Sequence, residues 1–382
     1  AGFNLGIYFL LFARFIQAIG ASMTMSNSFG ITTSCFPPHQ RARAMATIGI
    51  FVSLGAVTGP GLGGIILQFM PWSYIFWVNV PIGIIAMLMG QKLFPKDDIA
   101  TPFDRKLIDW SGTILFFFAI SLLFLGIEIG QNTSFTSPPV LISLVIAVIL
   151  FILFLEKEKI AQAPMIQLDI FKNKLFTISL ISALLIFVTN FFASIIMPFY
   201  LQSYLKFSPG VAGGLMMVFP IVMMIVGPIA GVIADKWNKE ILTAIGIVFV
   251  VFAQFGYTRL NADSSMFTII LITAINALGT GLFQSPNSAL VMSTVEPKYL
   301  GVAGSINALA RNLGMIIGIS LATTTLFATM SAQYGKRVTE YISSRPDVFL
   351  SGMHVAFLVS FGVGILTFIV VGSRVFVKKD NA

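Results

Sequence analysis

Apolar residues run along this chain in long blocks, separated by short charged or turn-forming stretches, and they rarely alternate with polar positions. Blocks of that kind predict helices that are apolar on every face, and at about 20 residues each they match the hydrocarbon thickness of a bilayer. The pattern predicts spans near residues 5–34, 43–69, 74–94, 109–130 and 139–155, then near 174–200, 209–234, 241–259, 265–293, 300–328 and 351–376. Several are longer than a bilayer requires, so tilted or kinked helices are expected. The fold class expected is an all-α polytopic membrane protein with about 11 transmembrane helices.

Composition agrees. Of 382 residues, 57% are hydrophobic and 10% charged, and the mean hydropathy is +0.92, whereas a soluble domain carries roughly 25% charged residues. The net charge of +8 is explained by topology. Lys and Arg in short loops stay on the cytoplasmic side, and placing the 36–43 loop there puts sixteen of the 23 basic residues in cytoplasmic loops and tail, against five outside. The C-terminus is then cytoplasmic, and Arg14 and Arg311 are the two basic residues inside apolar spans. A basic balance spread in this way forms no patch for nucleic acid. Cys35, His39 and His354 cannot assemble a disulfide or a Cys/His metal cluster. Walker A, HExxH and GxSxG motifs do not occur, and neither a nucleophile constellation nor paired carboxylates appear in the pattern. No cofactor, metal or enzymatic activity is expected.

A gapless shift of 259 residues superposes Gln17-Ala-Ile-Gly20 on Asn276-Ala-Leu-Gly279, and Ser26, Pro38, Gly55 and Gly59 on Ser285, Pro297, Gly314 and Gly318. The chain therefore contains a parallel internal repeat. The same offset puts the partners of the spans at 174–259 before residue 1, so three upstream helices are expected.

Within the second span, Gly55-Ala-Val-Thr-Gly59-Pro60-Gly61-Leu-Gly63-Gly64 repeats glycine every four residues on one face, and Pro60 removes a backbone donor. Ordinary small-residue packing and a kink that accommodates a moving partner both fit. Arg14 inside a span costs a few kcal/mol unless it is paired or hydrated, so it faces a cavity or snorkels to the surface. Asn307, Arg311, Gly314 and Gly318 share a helical face, as do Asn276, Thr280, Phe283 and Asn287. Each face fits a substrate cavity or a polar lock between helices. Asn190, between Thr189 and the Phe191–Phe192 pair, carries the same two readings, and Glu128 reads as interfacial.

The glycine block resembles antiporter motif C of the major facilitator superfamily, specifically of its fourteen-span drug:proton antiporters of the EmrB/QacA type. Arg14-Phe-Ile-Gln17-Ala-Ile-Gly20 resembles motif B, and Trp72-Ser-Tyr-Ile-Phe-Trp77-Val-Asn79-Val-Pro81-Ile-Gly83 the block that follows motif C. Gly227-Pro-Ile-Ala-Gly231-Val-Ile-Ala-Asp235-Lys236 is similar to the second copy of motif A, with Asn238 and Glu240 departing from it, and Gly279-Thr-Gly281-Leu-Phe-Gln284-Ser-Pro286-Asn287 follows in family order. The resemblance implies that 1–95 is the remainder of an N-terminal bundle, 109–157 an inserted helix pair and 174–376 a C-terminal six-helix bundle. It further implies proton-driven export of drug-like amphipathic compounds by alternating access in a bacterial cell membrane. The partners would be a small-molecule substrate, protons and the lipid bilayer. Arg14 would serve proton coupling, Gly55, Gly59, Pro60, Gly63, Gly64 and Asp235 conformational coupling, and Gln17, Asn190, Asn276, Phe283, Asn287, Asn307 and Arg311 the substrate cavity. The proton-carrying carboxylate would precede residue 1. Export of an endogenous metabolite or siderophore uses the same architecture, and a membrane sensor without transport is the reading from another class.

Overall fold

The computed structural model describes residues 2–3, 5–35, 55, 59, 62–93, 109–133, 137–161, 164–296 and 299–374. Its helices are α1 (Ile7–Cys35), α2 (62–69), α3 (Tyr74–Trp77), α4 (Asn79–Leu93), α5 (Trp110–Asn132), α6 (Pro138–Ile160) and α7 (Lys174–Pro198). They continue with α8 (Pro209–Met216), α9 (Val218–Lys236), α10 (Lys239–Tyr257), α11 (Met266–Ser293), α12 (Leu300–Tyr334) and α13 (Pro346–Gly372). Among the described residues ten helical stretches are long and apolar enough to cross a membrane. The protein is an all-α polytopic membrane protein. The predicted span at 43–69 lies largely outside the described residues.

Helix ends follow local chemistry that hydropathy does not read. α12 runs to Tyr334, beyond the predicted 328, and stops where Gly335 takes a φ of 73°. That left-handed conformation is the usual terminator of a helix and suits a residue without Cβ. α13 begins early, at Pro346, because proline fits the first helical turn, where its missing N–H costs nothing. Pro198 ends α7, and the chain continues as a π-helical turn over Phe199–Tyr204. A proline ring deprives the ladder of one donor, and the wider turn accommodates the gap.

The chain divides into two compact units. The first holds α1–α4, the chain from Met197 through α10 to Gly256, and α11 up to Pro286. Lipid tails are as apolar as leucine, so helices in a bilayer associate through close packing and not through burial from water. Glycines supply that closeness here. Gly246 and Gly279 meet where α10 crosses α11, and a Cβ on either would come within 2.6 Å of the other's carbonyl oxygen. Gly281 packs on Val226 of α9, and Gly64 of α2 lies against the Pro209 carbonyl of α8.

The second unit holds α5, α6, α7 up to Ile196, the end of α11 from Asn287, α12 and α13. α5 and α6 form an antiparallel hairpin, with Gly126 against Leu144 and the Ser143 hydroxyl donating to the Leu122 carbonyl at 2.7 Å. α12 meets α7 at Gly314, against the Leu184 carbonyl, and at Gly318, against Val188. It meets α13 where Gly352 lies on the Leu326 carbonyl. At one end Ile170, Phe176, Leu180, Val291, Ala303 and Ile306 pack into a buried cluster.

Candidate functional site

In the first unit α1 presents Arg14 and Gln17 one turn apart, and the Arg14 guanidinium donates to Gln17 Oε1 at 2.9 Å. The same guanidinium carbon lies 4.8 Å from the centre of the Phe76 ring in α3, within the range at which an aromatic face attracts a cation. Two blocks 62 positions apart in sequence are thereby brought together, although Arg14 itself is exposed. Beside them Phe3 stacks edge-on against Trp77, whose Nε1 donates to the Gly2 carbonyl at 3.2 Å. Phe3, Ala13, Gln17, Phe76, Trp77 and Asn79 line a cavity of about 280 Å³.

The polar face of α11 is buried in the same unit. Asn276 Oδ1 accepts from Gln254 of α10 at 3.3 Å, the Thr280 hydroxyl donates back to the Asn276 carbonyl at 2.8 Å, and Phe283 lies beneath them, 1% exposed. Inside a membrane a polar side chain without a partner costs several kcal/mol, so Gln254 is the necessary complement of Asn276. Periodicity along one helix could not reveal it.

The glycine block is only partly described. Gly55 and Gly59 are helical, and neither these two nor Gly63 has a neighbour among the described residues within 4 Å of an added Cβ. Close contact occurs instead at Gly64, where such a Cβ would lie 2.9 Å from the Pro209 oxygen. Their repeat counterparts Gly314 and Gly318 do make the tight contact, with α7. Pro60 lies outside the described residues. Asp235 is in the last turn of α9, and its side chain too lies outside them. Asn238, which breaks the resemblance to motif A, has a local role: its side-chain oxygen accepts from the amides of Glu240 and Ile241 and so starts α10.

The second unit uses its polar residues as ties. Asn287 donates to the Ser179 carbonyl of α7 at 3.1 Å and accepts from Arg374 at the end of α13. Arg374, counted by sequence among the loop charges, is therefore buried, 1% exposed. One turn further along the predicted polar faces, the Asn307 amide reaches Ser288 Oγ at 3.4 Å, while its Oδ1 is buried without a partner among the described residues. Arg311 is half-buried on the same face, and no ion pair to it forms among the described residues. Asn190 is half-buried on α7, next to Phe191, which stacks on Phe187 with ring centres 6.4 Å apart.

Sequence reading found no paired carboxylates, and here the structure differs: Asp109, which caps α5, and Glu158, near the end of α6, face each other across Gly112. The two are 49 positions apart, and only the closing of the α5–α6 hairpin unites them.

Comparison with known proteins accords with this architecture. The riboflavin transporter RibZ of Clostridioides difficile (strain 630) is 34% identical over 336 residues, which cover 88% of this chain and 71% of that protein. The lincomycin resistance protein LmrB of Listeria monocytogenes is 26% identical over 323 residues, covering 85% of this chain and 68% of its own. Multidrug resistance protein 3 of Bacillus subtilis is 26% identical over 355 residues, covering 90% and 69%. The model of the Major Facilitator Superfamily matches residues 1–319. With ten helices of spanning length among the described residues, a match over most of its length and transporters as relatives, the chain belongs to the Major Facilitator Superfamily and is a membrane transporter.

Proposed function

We propose that this transporter is a proton-driven exporter of amphipathic, drug-like compounds, of the fourteen-span drug:proton antiporter type. The observation that carries this reading is the meeting of Arg14, Gln17 and Phe76, which joins two of the motif-like blocks around one cation. Relatives named for lincomycin and multidrug resistance support the choice of cargo. Arg14 serves proton coupling. Gly55, Gly59, Pro60, Gly63, Gly64 and Asp235 serve the conformational change, and Gln17, Asn190, Asn276, Phe283, Asn287, Asn307 and Arg311 contribute to substrate handling. Residues 1–95 belong to the N-terminal bundle, 109–157 form the inserted pair and 174–376 the C-terminal bundle, with the C-terminus in the cytoplasm of a bacterial cell. Protonation and substrate occupancy favour opposite cavity orientations, so each drives the exit of the other.

A second reading, export of an aromatic metabolite, is favoured by the 34% identity to a riboflavin transporter. Proteoliposomes containing the full chain separate the two when lincomycin, a fluorescent lipophilic cation and riboflavin are offered under an imposed pH gradient. Antibiotic or cation transport that collapses with a protonophore supports the first reading, and riboflavin flux alone supports the second. Transport of any of them that ignores the gradient removes the proton coupling.

A further inference from the structure

At the end of the α5–α6 hairpin where α5 starts and α6 finishes, two acids are arranged in a way that ion pairing does not explain. Asp109 Oδ1 takes both available donors, the Gly112 amide and the Ser111 hydroxyl, each at 2.8 Å. Its other oxygen, Oδ2, is buried and has no donor among the described residues. Glu158 shows the same asymmetry: Oε2 accepts from the Ile166 amide at 2.8 Å, while Oε1 is buried and has no donor among the described residues. The two orphaned oxygens converge on one place. A Cβ added to Gly112 would run into Asp109 Oδ2 and lie 2.7 Å from Glu158 Oε1, so the absent side chain at 112 is what lets the carboxyls meet. The residue carrying the second of them is sealed, with Glu158 only 4% exposed.

Ionised carboxylates only accept hydrogen bonds, and two of them in contact repel. A single proton turns one orphan into a donor and satisfies both. We propose that Asp109 and Glu158 form a proton-binding site, in which Glu158 carries a proton bonded to ionised Asp109 and so clasps the α6–α7 linker onto the start of α5. The allocation follows from the surroundings. Asp109 has two donors, lies at a helix N-terminus, which favours negative charge, and feels Lys157; the Gly112 amide holds its carboxyl below the usual carboxylate range. Glu158 faces that charge and is 4% exposed, and burial beside a negative charge favours its neutral form.

Among the described residues, the remaining charges nearby are largely engaged with each other. Lys159 pairs with Glu156 on α6 at 2.7 Å, and Lys172 pairs with Asp169 on the short 3₁₀ helix before α7 at 2.6 Å. Lys174 opens α7, and Arg311 is the only charged residue of α12, which packs on α5. The linker is held by the clasp at two adjacent residues, because the Thr113 hydroxyl of α5 also lies 3.8 Å from Met165 Sδ. A polar cavity of about 390 Å³, lined by Glu158, Lys159, Ala161, Pro164, Gln167 and Asp169, borders the site. Loss of the proton leaves two facing carboxylates, and the linker loses its hold on α5 at Met165 and Ile166. The site is thus a pH-responsive element separate from Arg14 and the proposed transport residues.

The test uses the chain in lipid nanodiscs. Infrared difference spectra at neutral pH are expected to show one protonated carboxyl band that disappears in Glu158→Gln. Amide exchange at Ile166, corrected for intrinsic rate, is expected to lose at least about tenfold in protection as pH rises in the wild type, and to stay flat in Glu158→Gln, whose amide donates at every pH. Absence of the band in the wild type, its persistence in the variant, or identical pH profiles for Ile166 overturn the proposal. A band displaced by millimolar Ca²⁺ or Na⁺ at constant pH identifies a cation site and overturns it as well. If Glu158→Gln fails to insert, Asp109→Asn replaces it: removing the neighbouring charge must shift the Ile166 profile toward acid, and an unshifted profile refutes the shared proton.

Discussion

Arg14 shows how little of a residue's role is set by its type. A cation in an apolar block is costly, and the structure gives it two modest compensations, the Gln17 oxygen at 2.9 Å and the Phe76 ring at 4.8 Å. Neither neutralises the charge, so the guanidinium retains the capacity to act on a titrating group. Arg14→Ala is expected to reduce gradient-driven flux by about tenfold or more while the protein still inserts. Arg14→Lys is expected to recover only part of it, since an ammonium keeps the cation–π contact but lacks the planar fork. Flux and pH dependence measured in proteoliposomes check this, and wild-type behaviour of Arg14→Ala would remove it from the mechanism. Asn287 makes the complementary case. It accepts from a buried arginine and donates to a carbonyl on another helix, and a hydrogen bond to a charged group contributes about 1.5–3 kcal/mol. Asn287→Ala is accordingly expected to destabilise the fold by about that much, visible as a lower melting temperature in detergent, whether or not transport survives.

At the scale of elements, what the sequence makes legible is what a single helix can express. Hydropathy locates every described span because each must match the bilayer alone, and glycine spacing marks a contact face of α12. It does not say which glycines touch. Gly55 and Gly59 share their spacing with Gly314 and Gly318, yet only the second pair has a helix against it among the described residues. Nor does periodicity reveal pairings between helices, such as Asn276 with Gln254, Asn287 with Arg374, or Asp109 with Glu158, because each partner reads as unremarkable on its own helix. Contact predicts consequence: Gly314→Leu should force α12 away from the Leu184 carbonyl and lower stability by about 1–3 kcal/mol, whereas Gly362→Leu on α13, with nothing within 4 Å of its added Cβ, should be close to neutral. Equal melting temperatures for the two variants would contradict the α7–α12 contact. The α5 cap has a pH signature of its own. Because the Gly112 amide holds Asp109 below its ordinary value, the cap's contribution is complete above the unfolded carboxylate value near 4 and fades as pH falls through the lower folded value. Asp109→Ala should therefore cost about 1 kcal/mol at neutral pH, and the gap to wild type should close in strong acid.

For the molecule as a whole, the charge distribution sets an expected orientation, which the α5–α6 hairpin tests. The two helices are antiparallel, so the Gln131–Thr133 turn lies at one membrane face and the Lys157–Lys174 segment at the other, whichever way the chain is inserted. The second segment carries Lys157, Lys159, Lys172 and Lys174, while the turn at 131–133 has no charge. Translocating a lysine-rich segment across the bilayer is disfavoured during insertion, so that segment is expected in the cytoplasm and the turn outside. The measurement needs a background free of native thiol, which Cys35→Ser supplies, and then single cysteines at Asn132 and at Lys172. An impermeant maleimide applied to intact cells should label the first and spare the second until the membrane is opened. The reverse pattern would invert the topology, moving the C-terminus outside and with it the side from which the Asp109–Glu158 site exchanges its proton. Labelling of both sites in intact cells would break the hairpin itself. Since each outcome assigns a membrane face to the same four lysines, one pair of variants decides which pH the proposed carboxyl pair senses.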